Sequence, residues 1–112
     1  MAHPRFIYYN DAHHFHAKRI EPPASEHMLQ WPVDELAGTG ADTLVLGLGY
    51  GDVYFHDSKV GRVVGQGQTS WGNYIDWRIM RMVEEAGRLG TDQLRTVVER
   101  GRELGTRVVP SL

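Results

Sequence analysis

The sequence predicts an α/β protein with a βαβαβ parallel-strand unit, and three observations predict it. Strand-like runs occur at Arg5–Asn10, at Asp42–Leu48 and around Val108-Val109, and helical patterning stands between successive runs. The second run carries Leu44, Val45 and Leu46 in succession, as expected of a parallel strand covered on both faces. Right-handed crossovers would make the three strands parallel neighbours. At 112 residues there is room for one domain, and too little chain for a complete eight-stranded α/β barrel of about 250 residues. The third strand follows a helix with nothing after it to cover or pair it, so residues 1–112 are read as a single partial α/β domain.

Phe6, Ile7, Tyr8 and Tyr9 are aromatic or β-branched, and Asn10-Asp11 stops that strand with turn chemistry. Ala12 to His27 is polar, histidine-rich and carries Pro22-Pro23, which predicts a loop. A short helix is predicted over Pro32–Ala37, with proline tolerated in the first turn and Gly38-Thr39-Gly40 ending it. Glycines dominate from Gly47 to Gly72, a long loop with a short hairpin around Val53–Val64; loops of this length are often functional. From Asn73 the pattern turns helical, with Ile75, Ile79, Met82, Val83 and Ala86 on one apolar stripe that Gly87 and Gly90 weaken and end. Thr91 is the expected N-cap of the next helix, with Asp92 in its first turn and Leu94, Val97, Val98 and Leu104 on its buried side. Gly105 terminates it ahead of the third strand.

Apolar residues make up 41% and charged residues 23%, a globular balance. A formal charge of −2 argues against binding a phosphate backbone, so nucleic acid is not an expected partner. Cysteine is absent, which excludes disulfides and thiolate metal sites within the chain. No run has the apolar length of a signal peptide or a membrane span. As written the chain is expected to be cytoplasmic, with no membrane partner, and a start further upstream would make secretion the expectation instead. Of the twelve basic residues only Lys18 and Lys59 are lysine. The arginines fall mostly on helices among glutamates, as Glu84 and Arg88 do at i,i+4 spacing, and are read as solvated faces rather than an anion clamp.

Parallel α/β folds place ligand chemistry at the carboxyl ends of their strands. Asn10, Asp11, His13, His14 and His16 follow the first strand and belong there. His14-Phe15-His16 has the spacing of a metal-binding pair, although alternate residues of any extended segment share a side without a metal. Gly47-Leu48-Gly49-Tyr50-Gly51-Asp52 leaves the second strand but leads into Val53-Tyr54-Phe55-His56 rather than a helix. It therefore lacks the helix N-terminus of a dinucleotide site and is read as a sharp turn presenting Tyr50 and Asp52. Tyr8, Tyr9, Phe15, Tyr50, Tyr54, Phe55, Trp71, Tyr74 and Trp77 gather near the loops after the first two strands. Aromatic faces beside carboxylates suit a sugar, whose C–H faces stack on rings while its hydroxyls need acceptors. Against that, strand alternation turns Tyr8 or Tyr9 into the core, and Trp77 falls in the apolar helix. His56 and Asp57 form a proton-transfer pair only if they aim at one point, and Asp57 with Ser58 equally suits an Asx turn.

Phe6-Ile7-Tyr8-Tyr9-Asn10-Asp11, Gly38-Thr39-Gly40-Ala41-Asp42-Thr43-Leu44, and His56-Asp57-Ser58-Lys59-Val60-Gly61 with Val64-Gly65 resemble the amino-terminal part of a bacterial glycoside-hydrolase-like TIM-barrel family. Gly90-Thr91-Asp92-Gln93-Leu94 and the Gly105–Ser111 strand extend the resemblance over residues 5–111. It implies the first three strands of a (β/α)8 barrel. It also implies that the acid/base carboxylate after strand four and the nucleophile after strand seven lie beyond Leu112, leaving carbohydrate-contacting loops without the catalytic pair. Asn10, Asp11, His14, Tyr50, Asp52 and Ser111 are then expected to line the sugar-facing end. No cofactor and no metal are implied, and the exposed strand edges of such a fragment would self-associate. Two alternatives stand beside it: a metal-dependent amidohydrolase-like barrel using His14 and His16 as ligands, and a standalone, non-catalytic α/β binding module.

Overall fold

A computed structural model describes residues 6–13, 15–19, 21, 23–50, 53–56, 61–66, 70 and 74–111. In chain order the elements are β1 (Ile7–Asn10), a single π-helical turn (Phe15–Arg19), α1 (Glu26–Leu29), α2 (Trp31–Asp34), β2 (Thr43–Gly47), β3 (Gly49–Tyr50), β4 (Val53–Tyr54), β5 (Arg62–Val63), α3 (Tyr74–Arg88), α4 (Gln93–Leu104) and β6 (Arg107–Ser111). The chain is α/β, and its three main strands form one parallel sheet in the order β1-β2-β6.

The register places Tyr8, Leu44 and Val108 in one row across the sheet and Tyr9, Val45 and Val109 in the next. Alternate rows point to opposite faces. Leu44 and Leu46 are sealed from solvent and pack with Val33, Leu36, Ile79 and Val97. Those partners come from the segment joining β1 to β2 and from the segment joining β2 to β6, so both crossovers lie on one face. The other face carries Ile7, Tyr9, Thr43, Val45 and Val109; Thr43 is buried, Val45 half-buried, and Ile7, Tyr9 and Val109 are exposed. The apolar run of β2 predicts cover on both faces. Among the described residues one face is fully covered and the other only in part, because both crossovers dock on the same side. Tyr8 and Tyr9 are likewise both exposed, since alternation fixes where a ring points and not whether anything meets it.

The region after β2 departs most from expectation. The predicted hairpin within Val53–Val64 does not form. Val53 and Tyr54 pair with Arg62 and Val63 in parallel, a relationship no hairpin can make. The antiparallel pair is β3 with β4, Gly49 opposite Tyr54 and Tyr50 opposite Val53. The loop expected over Ala12–His27 instead holds the π-helical turn and, at its end, the start of α1, whose N-cap Ser25 accepts a hydrogen bond from the Met28 amide.

α3 buries Ile79, Met82, Glu85 and Ala86, but Tyr74, Ile75 and Trp77 in its first turn stay exposed. The apolar stripe continues past the elements that cover it. In α4 the cap is Asp92, not Thr91: its carboxylate accepts from the Arg95 amide at 2.8 Å, while the Thr91 hydroxyl lies 3.1 Å from that of Thr96. Leu104 is exposed, one residue before the left-handed Gly105 that ends the helix as predicted. Gly101 faces β6 so closely that a β-carbon would lie 2.7 Å from the Thr106 carbonyl oxygen and 2.8 Å from Val108 Cγ2.

Charged residues tie the helices together and do so by other spacings than expected. Arg88 bonds Glu85 and the Ala24 carbonyl, and Glu84 goes to Arg81. Glu85 also accepts from the Ala24 amide at 2.9 Å, pinning α3 to the segment before α1. Arg100 reaches Asp34 at 2.7 Å, joining α4 to α2. No helix among the described residues is long and apolar enough to cross a membrane.

Candidate functional site

The carboxyl ends of the three parallel strands meet at one edge of the sheet. Asn10 ends β1, Gly47 ends β2 and Ser111 ends β6, with Gly47 and Ser111 directly paired. The Ser111 carbonyl accepts from the Leu48 amide at 2.9 Å. Beyond Asn10 the chain turns sharply. The Asn10 side-chain oxygen accepts from the Ala12 amide at 2.8 Å, and Ala12 takes φ 62°, a left-handed conformation that costs a non-glycine residue about 1–2 kcal/mol. Asp11, at the crest of this turn, lies against Gly47: a β-carbon there would be 2.6 Å from the Asp11 carbonyl oxygen. The absence of a side chain at position 47 is what lets the turn settle over the end of β2.

A cavity of about 250 Å³ opens beside this turn, lined by Tyr8, Tyr9, Asn10, Asp11, Phe15, Arg19 and Glu35. It combines aromatic rings, one carboxylate near the strand end, and an Arg19–Glu35 ion pair of 2.8 Å. Donors, acceptors and ring faces thus share one small hollow.

Beneath the turn lies His16, fully buried. Its Nδ1 sits 2.7 Å from the Ala12 carbonyl. A carbonyl can only accept, so Nδ1 carries the proton and Nε2 is left with a lone pair that has no hydrogen-bond partner among the described residues. The ring stacks at a tilt on Phe55, centroids 4.9 Å apart, with Phe15 edge-on at 5.9 Å. Burial pushes the imidazole pKa down to about 4, against the smaller opposing pull of the Ala12 hydrogen bond and with some help from neighbouring His13. His16 is therefore a neutral core residue at ordinary pH, supporting the turn from below. No group of three or more His, Asp or Glu side chains is placed to hold a metal ion among the described residues.

Of the residues singled out from the sequence, Asn10, Asp11 and Ser111 come together at this edge. Tyr50 lies one strand further on, in β3, by its backbone. His14 and Asp52 lie outside the described residues, as do Trp71 and the Asp57 of the proton-transfer pair. Arg19 and Glu35 were not singled out; they stand sixteen positions apart and only the fold makes them neighbours. A larger cavity, about 460 Å³, lies between β5 and the α3–α4 corner, with His56, Glu84 and Asp92 on its walls. Its carboxylates are engaged, Glu84 with Arg81 and Asp92 as the α4 cap, and it lies away from the carboxyl ends of the three parallel strands. No protein-family model matches the chain, and no curated protein matches it either.

Proposed function

We propose that the chain forms the first three strands of a glycoside-hydrolase-like (β/α)8 barrel, with the crossovers between them, and contributes a carbohydrate-contacting surface without the catalytic carboxylate pair. The observation that carries this reading is the gathering of Asn10, Asp11 and Ser111 at the carboxyl edge of a parallel sheet whose crossovers share one face. A barrel puts its helices outside and its ligand chemistry at that edge. The open face, with Tyr9, Val45 and Val109, corresponds in this reading to the barrel interior, and β1 and β6 are the edges at which further strands would be added. Tyr8 and Tyr9, both exposed, would stack on a sugar ring while Asp11 and the Arg19–Glu35 pair meet its hydroxyls. Hydrolysis itself needs two carboxyl groups at a set separation across the scissile bond, which this reading assigns to strands four and seven.

The test is to titrate the ¹⁵N-labelled chain with a panel of neutral oligosaccharides and to assay it against aryl glycosides. Amide shifts concentrated at Asn10, Asp11 and Ser111, abolished by Asp11→Ala, are expected, with no turnover. Shifts elsewhere or none at all would overturn the carbohydrate reading, and turnover by the chain would overturn the absence of a catalytic pair.

A further inference from the structure

We propose that β1 is a pairing interface between two copies of this chain, joined as antiparallel strands about a two-fold axis at Tyr8. The proposal is an alternative to the barrel reading at this edge, since a β1 paired with a second copy has no place for a further strand of its own barrel. β1 is an edge strand, bonded to β2 on one side and to nothing on the other among the described residues. The Phe6 carbonyl accepts from the Asp42 and Thr43 amides, so it faces β2. Backbone groups of successive strand residues alternate in direction, which turns those of Tyr8 and Asn10 toward β2 and those of Ile7 and Tyr9 outward.

This arrangement is self-complementary. With the axis at Tyr8, Ile7 of one copy stands opposite Tyr9 of the other, and the two exchange reciprocal N–H···O=C bonds on each side of a Tyr8–Tyr8 non-hydrogen-bonded pair. Opposed residues share a face, so both sets of helices stay on the same side of the joined sheet. Phe6, Ile7, Tyr8 and Tyr9 are 46–63% exposed and would cover one another. Charge agrees with the geometry. Arg19 and Glu35 line both the cavity at the Asn10 end of β1 and a second one of about 490 Å³ toward Phe6, and Tyr8 lines both as well. The ion pair thus lies beside the axis, where a two-fold brings Arg19 of one copy toward Glu35 of the other. The opposite edge is protected: β6 contains Pro110, which has no amide hydrogen, and an exposed Arg107, whereas β1 contains neither proline nor charge. The pairing would also set Phe6 of the second copy against Asn10, adding an aromatic wall to the smaller cavity.

Sedimentation equilibrium of the 112-residue chain is expected to give a dimer in which the Ile7 and Tyr9 amides are protected from hydrogen exchange. Arg19→Glu and Glu35→Arg should each weaken self-association about tenfold, and mixing the two variants should restore it, because the mixed dimer again sets opposite charges across the axis. Tyr9→Pro, which removes an outward amide without touching the ladder to β2, should give a monomer with unchanged helical circular dichroism. A monomeric parent chain, freely exchanging Ile7 and Tyr9 amides within a dimer, or no recovery on mixing would each overturn the proposal.

Discussion

The Asp11 carbonyl oxygen occupies the space that a side chain at Gly47 would need, at 2.6 Å from the ideal β-carbon position. Two strand ends that carry the candidate ligand surface are thereby joined backbone to backbone. Gly47→Ala is expected to cost about 1–3 kcal/mol, the usual range for overpacking, because the atom it meets is main chain and cannot rotate away. Urea unfolding measures the loss, and amide shifts at Asn10 and Asp11 should move even in the folded variant. A variant as stable as the parent would show that the turn does not rest on β2.

His16 makes stability depend on pH with a definite sign. Its folded-state pKa of about 4 lies below the ordinary 6.5, so the unfolded chain binds the proton first as pH falls. This contribution is level above pH 6.5, declines through the interval down to 4, and levels off again below it, a total of about 3 kcal/mol. Glu85 is held below its ordinary value of 4.5 chiefly by the Arg88 side chain and then by the Ala24 amide, so its loss of stability falls at lower pH, below 4.5. His16→Phe should flatten the upper window and leave the lower one. A urea midpoint that still falls between pH 6.5 and 4 in that variant would assign the effect elsewhere.

The α4 cap offers a sharper comparison. Asp92→Ala should cost about 1 kcal/mol and Asp92→Asn much less, since asparagine keeps the acceptor for the Arg95 amide. Thr91→Ala should not reproduce the loss of a cap, because the Thr91 hydroxyl bonds Thr96 rather than a free helix amide. Parallel thermal melts of the three variants check the order.

Strand positions and the glycine stop at Gly105 were legible from local chemistry, β-branched runs and a residue that accepts positive φ, and the parallel order from the right-handedness of crossovers. The hairpin was legible too, in principle. Tyr50 and Val53 are separated by Gly51-Asp52, a two-residue spacing that favours tight hairpins, whereas Val53 and Arg62 pair in parallel for reasons no local rule contains. Asn10 and Asp11 could be placed at a strand end from their turn chemistry alone. Arg19 and Glu35 could not, because their meeting depends on how the π-helical turn and the segment after α2 pack beside β1. Nor could the inward turn of His16, whose polar ring sits among phenylalanines against the usual preference of histidine for partial exposure.

Gly101 acts at a distance from anything it touches. It seats α4 on the first residues of β6, at the end of the sheet remote from Asn10 and Asp11, and β6 then runs on to Ser111 at the other end. A fulcrum placed at the foot of a rod governs the aim of its tip. The way Ser111 meets the other two strand ends thus depends on a residue with no side chain, at the opposite end of the strand.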